Sequence, residues 1–220
     1  MAKHLDIEKF ELFPHERTLG KGDNIPKGRG LYAWYIDFSK FKNFNTVEEF
    51  SKKIELINNL ISLDAITGNV KSFFRNYSVS LSESRLFIDK FLIDDTEEEI
   101  IFGDKLKNLS VDDCRKIMEL LANFSILVNP LYVGISSSLR TRWEQHHKAF
   151  TTIKELQGNN EDEGYLKALA QKSFGGRVAY KGFNWEYLIF ACVEKDIDRK
   201  LINETEFLIN RLYNPLFGRK

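Results

Sequence analysis

The sequence predicts an α+β domain, and three observations carry that reading. Short apolar runs rich in aromatic and β-branched residues, each bounded by glycine or acid, occur at 30–37, 131–134 and 183–193. Segments with apolar residues at three- and four-residue steps, opened by serine or threonine caps, stand between and after them. Residues 38–128, between the first two strands, depart from strand patterning and read as a mostly helical insertion.

At 220 residues the chain is long enough to bury a proper hydrophobic core. Cys114 and Cys192 are far apart, which argues against a disulfide framework or a zinc cluster and suits a reducing compartment. No apolar run reaches membrane-span length and the N-terminus has no signal-peptide core, so the expected setting is cytoplasmic and no membrane partner is expected. Lys+Arg and Asp+Glu balance at 32 each. Net charge therefore withholds the usual hint of nucleic-acid binding and only permits a local basic surface.

Residues 1–29 read as an arm with one or two short elements: Phe10, Leu12 and Phe13 precede Pro14, and a glycine- and charge-rich loop follows. In the strand at 30–37, Leu31, Ala33 and Tyr35 face one way and Tyr32, Trp34 and Ile36 the other, with both faces expected to be buried. Thr46 to Glu49 form a capping box that opens a helix with Phe50, Ile54, Ile57 and Leu60 on its stripe. The basic-aromatic run at 71–77 is read as core rather than as a base-stacking patch. Residues 86–102 fit either a hairpin over the polar 94–98 or a broken helix. A helix over 110–124 follows, with a serine cap, Asp112 and Asp113 in its first turn, and Cys114, Ile117, Met118 and Leu121 on one stripe.

The stretch 130–150 is the densest in signals. Leu131, Tyr132 and Val133 are β-prone, Gly134 ends the run, and three serines offer oxygens to the N–H groups of a following helix. Leu139, Trp143, His146 and Phe150 form the apolar face of that helix. Arg142 and His146, four apart, project together beside that stripe, one a fixed cation and the other titratable. Residues 151–164 read as a polar loop, 165–172 as helix, and Gly175-Gly176-Arg177 as a break. Residues 183–193 form the strongest strand, ended by the acids at 196–198. A last helix spans 199–213, with Leu201, Ile202, Thr205, Leu208, Ile209 and Leu212 expected on its buried face. Glu204 and Glu206 lie within it on different faces, so only one of them can share a site with Arg142.

These residues resemble the GIY-YIG nucleases. The family's two tripeptides, carried on neighbouring strands, are matched by Gly30-Leu31-Tyr32 and Tyr132-Val133-Gly134. Its helix-borne arginine follows the second tyrosine by ten positions, as Arg142 does, and homing and restriction members often carry a histidine one turn on, as His146. Its metal-binding glutamate stands nine residues before a proline, which points to Glu206 and Pro215. The asparagine usual three residues beyond that proline is Gly218 here. The resemblance covers residues 29–37 and 129–218 and implies a small, mostly antiparallel sheet flanked by helices. Residues 38–128 would then be an insertion at a hairpin tip, which is tolerable because loop-closure entropy grows only by about 0.6 kcal/mol per doubling of length.

The resemblance implies a divalent-metal-dependent endonuclease that hydrolyses DNA, with restriction or defence as its setting. Tyr32, Tyr132, Arg142, His146 and Glu206 would be its catalytic residues, and Glu206 the ligand of Mg²⁺ or Mn²⁺. The residue types suit the chemistry: phosphodiester hydrolysis needs a deprotonated water, charge neutralisation on the phosphate and a stabilised leaving oxygen. A carboxylate can hold a hard cation, an arginine matches phosphate with a planar fork of donors, and a tyrosine becomes a base only where cations depress its pKa. Double-strand cleavage by a single-site enzyme favours a homodimer, although no interface signature stands out. Two other readings compete: a structure-specific repair or recombination nuclease, and a non-catalytic module that uses the scaffold to bind nucleic acid or protein.

Overall fold

The computed structural model describes residues 11–18, 20–61, 66–71, 76–81, 109–123, 125–126, 130–159, 161–195, 201, 204–205 and 207–208. The chain divides into two units, one of residues 1–40 and 119–220 and one of residues 41–118.

The first unit is α+β and is built on a four-stranded antiparallel sheet. Its strands are β1 (Glu11–Pro14), β2 (Gly30–Ile36), β5 (Tyr132–Ser136) and β6 (Leu188–Glu194), in the spatial order β1-β6-β2-β5. β2 is central. Across it Tyr32 pairs with Gly134 on β5 and with Cys192 on β6, and Trp34 pairs with Tyr132 and Phe190. This register puts Tyr32, Trp34, Tyr132 and Phe190 on one face, because alternate residues of a strand share a side. That face of β2 is wholly buried, whereas Leu31 and Tyr35 on the other face are only half-buried, so the expectation of two buried faces holds for one.

A one-turn helix, α1 (His15–Thr18), follows β1, and three helices cover or flank the buried face: α4 (Leu139–Gly158), α5 (Glu163–Ala170) and α6 (Phe174–Tyr180). Ser138 caps α4 by accepting the Thr141 N–H, and Ser136 orients the cap by accepting the Ser138 N–H at 3.1 Å. The loop before β2 is tied to the same end, since Leu139 N–H donates to Gly28 and Arg140 N–H to Pro26. α4 buries Leu139, Trp143, His146, Phe150 and Ile153. It therefore runs well past Thr151, where the sequence read as loop. The polar residues there occupy the outer side of a helix whose inner side holds Ile153.

Gly175 and Gly176, read from sequence as a helix break, lie inside α6. The reason is close approach: a Cβ at Gly175 would overlap the carbonyl oxygen of His146, so the two helices pack at backbone distance only because nothing projects there. The core around them is aromatic. Trp34 stacks on Phe174 with ring centres 5.3 Å apart and meets Trp185 at 4.9 Å, and Trp185 also packs on Phe150 at 5.1 Å. Trp185 sits in a 3-10 turn (Trp185–Tyr187), so the strand expected over 183–193 begins only at Leu188.

Of the last helix, residues 201, 204, 205, 207 and 208 are described and are helical. Leu201 and Leu208, expected on its buried face, are 55% and 57% exposed. Spacing reports that an apolar stripe exists but not which surface it meets.

The second unit contains α2 (Val47–Ile61), the hairpin β3 (Ile66–Lys71) and β4 (Asn76–Leu81), and the start of α3 (Val111–Asn123). Both caps form: Thr46 accepts the Glu49 N–H at 3.1 Å while the Glu49 carboxylate accepts the N–H of Asn45, one residue before the cap, and Ser110 accepts the Asp113 N–H at 3.2 Å while Asp113 accepts from Ser110 in return. Cys114 and Met118 are fully buried. The hairpin is an addition to the helical reading of the insertion. Residues 86–102 lie outside the described residues. No described helix is long and apolar enough to cross a membrane.

Candidate active site

The register of β2 and β5 places two tyrosines under helix α4. Tyr32 and Tyr132 project from neighbouring strands with ring centres 5.9 Å apart. Tyr32 lies over its cross-strand partner Gly134, where a Cβ would stand 2.6 Å from the Tyr32 hydroxyl oxygen and 2.7 Å from Cζ. Any other residue at Gly134 would push the phenol out of its place.

Helix α4 supplies the polar partners. Arg142 and His146 are one turn apart, and both reach the same oxygen: Arg142 Nε–H donates to the Tyr32 hydroxyl at 3.0 Å, and His146 Nε2 lies 3.2 Å from it. Arg142 also donates to Gln145 Oε1 at 3.1 Å, which fixes the plane of its guanidinium. The His146 ring is 1% exposed and walled by Tyr132, Trp34 and Phe174. Tyr32 and Tyr132 are buried almost as completely, whereas Arg142 is half-buried and gives the cluster its outer edge.

The electrostatics follow from that burial. Loss of water, reinforced by the Arg142 and Arg177 cations, pushes the His146 imidazole down from the usual 6.5 to about 3. It is neutral at physiological pH. Burial and the neighbouring Tyr132 raise the Tyr32 phenol above its ordinary range, and the pull of Arg142 in the other direction is smaller. Arg142 is held more firmly protonated than usual: its own burial works against the charge, but its bonds and proximity to Tyr32 and Tyr132 outweigh that. The resting cluster is thus a neutral imidazole and a neutral Tyr32 phenol beside a fixed cation. The Tyr32 oxygen accepts from Arg142 and, according to the imidazole tautomer, either donates its own hydrogen to a bare His146 Nε2 or accepts from a protonated one. Nδ1 is buried without a hydrogen-bond partner.

The structure therefore brings Tyr32, Tyr132, Arg142 and His146 together. Glu206, Pro215 and Gly218 lie outside the described residues. One residue was missed from sequence: Arg177 of α6, whose guanidinium carbon is 5.7 Å from the centre of the Tyr132 ring. It was hidden in a Gly-Gly-Arg string that read as a break, and only the helix packing through Gly175 brings it to the site.

Phenols, a neutral imidazole and guanidiniums favour anionic oxygens over a hard cation, which takes oxygen ligands such as carboxylates. Among the described residues no group of three or more His, Cys, Asp or Glu side chains is placed to hold a metal ion. Chemically, the described part of the site can neutralise an anion at Arg142 and pass a proton between the Tyr32 hydroxyl and His146. No protein-family model, curated protein or solved structure matches the chain.

Proposed function

We propose that the protein is a divalent-metal-dependent endonuclease of GIY-YIG type that hydrolyses DNA phosphodiester bonds. The single observation that supports it best is the convergence of Arg142 and His146, from one helix, on the hydroxyl of Tyr32, from the central strand. The second tyrosine of the motif stands beside it.

In this reading Arg142, at the outer edge of the cluster, takes a nonbridging phosphate oxygen while its Nε keeps hold of Tyr32. Tyr32 accepts a proton from the attacking water as its own proton passes to His146 Nε2, so that the imidazole ends as the cation and the phenol is restored. A bound phosphodiester makes that transfer easier. Its negative charge offsets the guanidiniums that depress the His146 pKa, so the imidazole becomes more basic when substrate is present. Glu206 would hold Mg²⁺ or Mn²⁺, and the ion when bound supplies positive charge to the phosphate and the departing oxygen. Tyr132 packs against Tyr32 and shares its contact with Arg142, which keeps both oriented.

The test is nicking of supercoiled plasmid in Mg²⁺ or Mn²⁺ by the full chain, by Arg142→Ala and by Glu206→Ala. The expected result is cleavage by the wild type and a loss on the order of 10²-fold or more in each variant. Undiminished cleavage by both variants would overturn the site assignment. Binding of DNA with no cleavage of plasmid, flaps or forks would point instead to a module that binds without reacting.

A further inference from the structure

The Arg142 guanidinium is held at both of its ends, and the outer holder is a residue that the proposed reaction does not use. Nε–H, on the part-buried side, donates to the Tyr32 hydroxyl at 3.0 Å, and Nη1, on the solvent side, donates to Gln145 Oε1 at 3.1 Å. Gln145 lies three residues along α4 from Arg142, so helical spacing sets the two side chains on one face. A guanidinium only donates, so the Gln145 atom facing it is the amide oxygen, and the amide nitrogen turns away.

The consequence is geometric. A guanidinium is a rigid plane on a flexible stem. Held only on the tyrosine side, the plane can still swing about that contact and carry its terminal nitrogens through an arc. The tyrosine-side bond, the covalent stem and the Gln145 bond together are three points, and three points define a plane. Folding alone gives little reason for the outer bond. Gln145 is exposed, and an exposed polar pair adds little to stability while two long side chains lose rotamer freedom in making it. What the bond supplies is orientation: the terminal nitrogens are set at the solvent edge of the cluster, where a phosphate arrives, before any substrate is bound.

We infer that Gln145 is a positioning residue for phosphodiester cleavage, fixing the plane of the Arg142 guanidinium so that its outer donors meet the phosphate in one orientation. That role rests on the phosphodiesterase reading above, and it falls to a residue outside the five on which that reading was built.

The experiment measures single-turnover nicking of supercoiled plasmid in Mn²⁺ by the full chain as wild type, Gln145→Ala, Arg142→Ala and the double variant. Gln145 is exposed on a helix and alanine suits such a position, so Gln145→Ala stays folded. It should nick about three- to tenfold more slowly than wild type, and the same change should leave the rate of Arg142→Ala unaltered, because the amide acts only through the guanidinium. Nicking by Gln145→Ala at the wild-type rate would overturn the inference, as would a comparable loss in both backgrounds, and either result leaves the nuclease reading intact. If the wild type nicks no plasmid, the nuclease reading fails, and NMR of the Arg142 side chain decides whether Gln145 holds the guanidinium. Separate Nη–H resonances in wild type that merge in Gln145→Ala support the positioning. Resonances already merged in wild type, or unchanged in Gln145→Ala, overturn it.

Discussion

The side chains of Arg142 and Tyr32, 110 residues apart in the chain, meet at 3.0 Å between Nε and the hydroxyl oxygen. The bond uses the guanidinium Nε, where a lysine has only a methylene. A lysine at 142 would keep the charge but lose the fork that holds Tyr32 and Gln145 together while presenting a further donor outward. Arg142→Lys should therefore lower plasmid cleavage at least tenfold, and Arg142→Ala combined with Tyr32→Phe should cost little more than either alone. A double-mutant cycle on cleavage rates checks this; additive losses would mean that the two side chains act independently.

His146 couples the site to stability. Its folded pKa, about 3, lies below the unfolded value of 6.5. Between those values the unfolded chain binds a proton that the folded chain does not, so stability rises with pH across that window and falls on acidification. From pH 7 to pH 5 this group should remove on the order of 2 kcal/mol of stability. Urea unfolding at the two pH values should show a larger loss for wild type than for His146→Gln, and equal losses would contradict the neutral, buried imidazole.

Gly134 predicts a local effect. A methyl there would stand 2.6 Å from the Tyr32 hydroxyl oxygen, which must then shift away from Arg142 and His146. Gly134→Ala should retain the far-ultraviolet circular dichroism of the wild type and lose cleavage at least tenfold. A variant that cleaves normally would show that Tyr32 tolerates displacement.

Much of the first unit was legible from local pattern. The glycine-bounded apolar runs located β2 and β5, and the four-residue spacing of Arg142 and His146 placed both on one flank of a helix before any neighbour was known. What escaped depends on tertiary packing. The outer half of α4 looks like loop because only Ile153 and its neighbours face inward. Gly175 looks like a break because the helix it interrupts in isolation is stabilised by contact with the His146 backbone. Arg177 gave no signal for the same reason. β1 was hidden by its shortness and by Pro14, which an edge strand accommodates. The apolar spacing of the last helix suggested burial, yet Leu201 and Leu208 are exposed.

In the proposed reaction the Tyr32 hydroxyl takes part in breaking the phosphodiester bond. The most direct measurement is the single-turnover rate of plasmid nicking in Mn²⁺ by wild type and by Tyr32→Phe, with thermal melting of both as the folding control. The rate in Tyr32→Phe is expected to be lower by about 10²-fold or more while the protein stays folded at the assay temperature. A Tyr32→Phe protein that nicks DNA at the wild-type rate would contradict it.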